Sequence, residues 1–301
     1  MRPQIFKIGL GLALTLALVC SVTGQKTDRK EKELKGPVKT VTKMRVTYEA
    51  DGTISPWGDS GGEYFSFGAN GNLLETRYLD ANRKVMARLP RIFDKGSDLA
   101  TQEHWYDDKG EFISREVYSY SEGKLTETLV YRGMDTLVMK RTRHYDANGR
   151  MDTETYFDKL KPVSKTTFKY DDKGNWVESA FFLIDGTPEL ASMGPCDSAH
   201  KITSVYDSVG RLVERTFYYL NNIRKRTLRW TYDDKSGNHE TYSIETDRMM
   251  TVHAYNYELD HYGNWTKWTS DSRNSLTDEK LNPDKKENRS KTVATREITY
   301  Y

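Results

Sequence analysis

Cysteine is nearly absent from this sequence. Its 301 residues include only two, Cys20 and Cys196, and the first falls in a segment that reads as a cleaved leader. An internal disulfide is thereby excluded, although the compartment implied by a leader would permit one. Apolar residues are sparse, at 36% hydrophobic against 30% charged. A typical domain is about 45–50% apolar, so a thin core is expected. An excess of either charge is missing too. Lys+Arg number 46 and Asp+Glu 44, and removing Arg2 and Lys7 with the leader leaves 44 against 44. Nucleic acid and anionic membrane surfaces, which call for a basic excess, are therefore excluded as main partners. Amphipathic helices are lacking, with at most one turn over Leu276–Leu281. No G-x-S-x-G, H-E-x-x-H or phosphate loop occurs, and no D-x-D-x-D-G spacing that would surround calcium with oxygens. No cofactor or metal is expected, and catalysis is not the leading reading.

What is abundant is aromatic: 20 tyrosines and six tryptophans. Many stand beside one recurring device, best seen in Tyr170-Asp171-Asp172-Lys173-Gly174-Asn175-Trp176. An Asp that opens a turn accepts from backbone amides inside it. A Gly three residues on takes the positive φ that other residues resist. Together they suit a type I turn closed by a glycine bulge, joining two antiparallel strands. The turn glycines are Gly71, Gly110, Gly149, Gly174, Gly210, Gly237 and Gly263, and the opening aspartates include Asp107, Asp146, Asp171 and Asp207. Successive glycines lie 39, 39, 25, 36, 27 and 26 residues apart. Two positions after each glycine sit Leu73, Phe112, Met151, Trp176, Leu212, His239 and Trp265. A column held to size with the residue type free is a packing column, so Trp176 and Trp265 are expected to be buried. The fold class is all-β: a meander of repeated antiparallel hairpins forming a curved, twisted sheet.

Residues 1–24 combine Arg2 and Lys7, the apolar run Ile8–Val19 and the small residues Val22-Thr23-Gly24. This pattern reads as a secretory signal peptide cut before Gln25. The run is too short to span a bilayer, which needs about 20 residues, so no stable span is expected after cleavage. The protein is expected to be exported, to the periplasm or beyond. A lipoprotein attached through Cys20 is the weaker alternative, because Val19 stands where a small residue belongs. Residues 25–36 are charged and read as a solvated tether. Residues 37–301 then form a single β-repeat domain.

The Tyr-Asp-x-x-Gly-[Arg/Asn] motif, clearest over Tyr145–Arg150, Tyr170–Asn175 and Tyr206–Arg211, resembles the YD repeat of the RHS family. The resemblance covers most of residues 64–270. It implies an all-β fold and, for a chain with so few copies, a short exported repeat protein rather than a large toxin-enclosing shell.

Three functions compete. The first is a non-catalytic binding or scaffold module for protein or glycan at the cell envelope. The second is an outer-membrane β-barrel, suggested by export, many strands and an aromatic C-terminus. The third is an envelope hydrolase using the loop 185–200. Candidate binding residues lie outside the packing column: Trp57, Trp230 and Trp268, with Cys196 and His200 in that loop. Residues three apart on a strand point to opposite faces, so Trp265 and Trp268 share a platform only if a bulge intervenes. The loop over 271–291 is strongly polar.

Overall fold

The computed structural model describes residues 28–55, 61–194, 197–235, 237–247, 249–276 and 288–301. Trp57, Cys196 and the expected leader lie outside the described residues. The chain forms one antiparallel sheet of 18 strands, plus a separate small hairpin, Ala191–Gly194 with Asp197–Ala199. Helical structure among the described residues amounts to one turn at Asp28–Glu31 and a 3-10 turn at Leu220–Asn222. Each strand pairs with its neighbour in the chain. The first, Val38–Glu49, pairs both with the second, Gly61–Phe67, and with the last, Asn288–Tyr300.

The sheet is therefore closed, and the expected open, curved sheet is corrected to a barrel. Val41, for example, faces Phe65 on one side and Ile298 on the other. Two physical causes act together. An open sheet would leave two rows of unpaired amides and carbonyls, and closure removes both. The curl is supplied by bulges. Beside the Asp–Gly turns the register slips by one residue, as where Lys169 faces Glu178 but Tyr170 faces Trp176, and each slip bends the sheet and increases its twist. Closure is what the outer-membrane-barrel reading required and the scaffold reading did not.

A meander alternates ends, so turns separated by an even number of strands share one rim. Those at Gly71, Gly149, Gly174, Gly210, Gly237 and Gly263 share the rim where the chain enters at Pro37. The Gly110 turn is three strands from Gly71 and stands at the opposite rim. At Gly174, φ is 84°; the Asp171 carbonyl accepts from the Gly174 amide at 3.0 Å, and the Asp171 carboxylate accepts from Asn175 N at 2.8 Å. The carboxylates of Asp146, Asp207 and Asp107 likewise accept the amide four residues on, at 2.8, 2.8 and 2.9 Å.

The tyrosines beside the entry rim fasten hairpin to hairpin. Tyr145 donates its hydroxyl to Leu125 O (2.8 Å), Tyr170 to Met151 O (2.7 Å), Tyr206 to Trp176 O (2.9 Å) and Tyr232 to Leu212 O (2.7 Å). Tyr120 does the same to Ala100 O at 2.9 Å. Each bond crosses to the preceding hairpin at this rim.

Cross-strand partners share a face, which identifies the inside. Along Met249–Leu259, Ala254, Asn256 and Glu258 are exposed, whereas Thr251 is buried and Tyr255 and Tyr257 are half-buried. The inward face holds two apolar clusters. One comprises Leu34, Val38, Val41, Phe65, Phe67 and Leu73; the other comprises Trp176, Phe181, Ala199, Ile202, Phe217 and Leu228. Leu34 belongs to the segment read as a solvated tether, yet it packs inside. There Asp28 binds Arg91 at 3.0 Å and accepts from Leu73 N at 2.6 Å. Between the clusters, inward charges pair with one another: Arg91 with Glu103 (3.0 Å), Arg141 with Glu116 (3.2 Å) and Arg143 with Glu154 (2.9 Å). Unpaired, such buried ions would cost several kcal/mol each.

Candidate binding site in the barrel lumen

Inside the entry rim lies a cavity of about 1350 Å³. Its mouth is made by the turn glycines Gly174, Gly210, Gly237 and Gly263, with Glu33 and Lys35 of the incoming chain. Its walls are aromatic because successive strands set inward residues level with one another. Trp230 faces Tyr242, which faces His253; Tyr257 faces Trp268, which faces Ala294. The Trp230 and Tyr242 ring centroids are 5.4 Å apart, and Trp268 stands edge-on to Tyr255 at 5.5 Å.

Trp265 and Trp268 share this face. Leu259 pairs with Trp265 and Glu258 with Lys267, so Thr266 is the extra residue of a bulge. The bulge turns Trp268 to the side occupied by Trp265, and their rings meet edge-on at 6.3 Å. Trp176 is 2% exposed and also lines the cavity; Trp265 is half-buried. The packing column and the cavity wall are thus partly one surface.

Two arginines lie over these rings. The Arg215 guanidinium stands 4.6 Å from the Trp176 ring centre, and that of Arg296 stands 3.5 Å from Trp265. Cations over an indole face are attracted by its quadrupole, more strongly when desolvated. Burial holds Arg215 below the ordinary arginine range and pushes Arg296 down to about 10. Arg215 Nε donates to Ser204 Oγ at 3.3 Å, whereas Arg296 Nε and Trp176 Nε1 are buried without a hydrogen-bond partner. Among the described residues neither arginine makes an ion pair, unlike Arg150 with Asp146 (2.8 Å) and Arg211 with Asp207 (2.6 Å).

The cavity gathers Trp230 and Trp268 from the sequence candidates and leaves His200 outside it. His200 closes the loop over 184–200 instead: its Nδ1 lies 2.8 Å from Phe181 O and 3.2 Å from Glu189 O, and its ring meets Phe182 edge-on. Asp185 accepts from Thr187 N at 2.8 Å and shapes a turn. Among the described residues no three His, Cys, Asp or Glu side chains converge as metal ligands would. The sequence reading missed Arg215 and Arg296. Their signal was phase: each is an arginine that alternates with apolar residues on one face of its strand, Val213 and Phe217 beside Arg215, Ala294 and Ile298 beside Arg296.

No protein-family profile matches the chain, and no curated protein does. Among solved structures, a porin-like protein from Bacteroides uniformis is similar over 88% of this chain and 99% of its own, at 11% identity and a TM-score of 0.48. A TcdB2-TccC3-TEV structure is similar over 82% of this chain and 15% of its own, at 10% identity and a TM-score of 0.35.

Proposed function

We propose that this protein is an exported, water-exposed β-barrel that binds a glycan in its lumen and acts as a non-catalytic binding module of the cell envelope. The observation that carries the reading is the division between the two faces of one wall. Inward, tryptophans and tyrosines surround an open cavity large enough for several sugar rings. Outward, charges recur around the circumference: Glu75 with Arg77 and Arg88, Glu127 with Lys140, Glu178 with Lys169, and Arg229 between Glu214 and Glu245. A Lys or Arg facing lipid at the bilayer midplane costs about 2–4 kcal/mol, so such a wall favours water. The leader-like residues 1–24 support export. The recurring Tyr-Asp-x-x-Gly hairpins support kinship with the YD repeats.

A second reading, an outer-membrane barrel, is favoured by closure itself. An even-numbered antiparallel meander whose first and last strands meet is the topology of such barrels. Fractionation of the producing cells separates the two. Release by osmotic shock without detergent is expected; retention in membranes through an alkaline wash would replace the first reading with the second. Binding is read by quenching of tryptophan fluorescence on titration with tetrasaccharides, and a flat titration with every sugar would remove the lumenal-binding reading.

A further inference from the structure

The lumen contains two half-buried arginines that, among the described residues, form no ion pair with a carboxylate. Elsewhere inside the barrel three arginines do meet carboxylates: Arg91 reaches Asp28 and Glu103, Arg141 reaches Glu116, and Arg143 reaches Glu154. At the aromatic cavity this pairing stops. Arg215 lines the cavity with hydroxyls for partners, Ser204 Oγ on its Nε and the phenol of Tyr206, and Arg296 lies over Trp265, which lines the same cavity, with its own Nε unpartnered. The carboxylates whose field reaches Arg296 most strongly are Glu33 and Glu63, and neither makes an ion pair with it.

Burying a charge is costly unless it is paired. Stacking on an indole recovers part of that cost but leaves the edge of the guanidinium, with its fork of N–H donors, free to take an anion. We infer that the lumenal ligand is an anionic glycan, whose sugar rings pack on the half-buried Trp230 and Trp268 while its carboxylates or sulfates bind Arg215 and Arg296. The inference rests on the lumenal-binding reading and narrows it. A neutral sugar would satisfy the aromatic walls and leave both cations as they are. An anionic one meets the rings and the charges together, and the two Arg–Trp stacks fix where along the ligand its charges must lie.

The test compares tetragalacturonate, a sulfated heparin tetrasaccharide and neutral cellotetraose on the full chain, by calorimetry and tryptophan quenching. At least one acidic sugar is expected to bind more tightly than cellotetraose by about tenfold or more, and that advantage is expected to shrink as salt rises. The preferred acid distinguishes carboxylate from sulfate. Arg215→Gln and Arg296→Gln are each expected to abolish the preference, so that acidic and neutral tetrasaccharides bind the variant alike, and the outer-wall control Lys267→Gln is expected to change nothing. Should the arginine variants fail to fold, the salt dependence of the unaltered chain still decides. Equal binding of neutral and acidic sugars overturns this inference and keeps lumenal binding; binding of none overturns both.

Discussion

Phenylalanine in place of the rim tyrosines removes a hydroxyl and little else. Tyr120, Tyr170 and Tyr232 each donate to a carbonyl of the preceding hairpin, at 2.9, 2.7 and 2.7 Å. A hydrogen bond of this kind contributes about 1 kcal/mol net, and more where the deserted carbonyl stays buried. The three residues lie on separate hairpins with no shared partner, so their costs should add to about 3 kcal/mol in the triple variant. For a chain of this size that lowers Tm by roughly 6–12 °C. Tyr106 is the control. It occupies the same place in the motif, but its turn stands at the opposite rim. It pairs with Arg88, which faces outward with Glu75, and its hydroxyl has His104 Nδ1 at 3.4 Å. Tyr106→Phe should therefore change stability by less than about 0.5 kcal/mol. The measurement is urea unfolding, followed by circular dichroism and tryptophan fluorescence together. Equal costs at Tyr106 and Tyr170, or a triple variant less than about 1 kcal/mol below the parent, would refute the idea that these hydroxyls tie the hairpins.

Three further outcomes are expected. Trp176→Ala should cost about 3–5 kcal/mol, because the ring is 2% exposed; a loss under 1 kcal/mol by chemical denaturation would contradict its place in the core. Gly174→Val should cost at least about 1–2 kcal/mol through its φ of 84° alone, since nothing lies within 4 Å of an added Cβ; an unchanged Tm argues against the turn geometry. Stability should fall in acid. Asp146, accepting the Arg150 amide, and Asp171, accepting the Asn175 side chain, both titrate below the ordinary carboxylate value of 3.8. Their contribution is complete above that value and is lost as pH drops through their folded values. A pH series of unfolding midpoints checks this, and a midpoint that rises on acidification would contradict the sign.

The local chemistry was legible in the residues themselves. Asp171 and Gly174 specify their turn through one carboxylate and one positive φ, whatever surrounds them. The recurring turns and the aromatic, β-branched stretches between them identified the strands for the same reason, because those side chains suit a pleated surface wherever it lies. The spacing of the turn glycines carried more than was read from it. Both gaps of 39 span three strands of the sheet and those of 25, 27 and 26 span two, whereas the gap of 36 spans two strands with the small separate hairpin inserted between them. An odd count sends Gly110 to the far rim and its tyrosine outward. Closure was not legible. It depends on the pairing of Val38–Glu49 with Asn288–Tyr300, residues distant in sequence whose register is set by the summed curl of every intervening bulge. The site shared that fate. Trp265 and Trp268 face one way only because Thr266 bulges, and Arg215 and Arg296 meet those rings only once the wall has come round. Turn and strand preferences are local free energies that a short peptide carries with it. Which residues share an inside is decided by closure, and closure belongs to the whole chain.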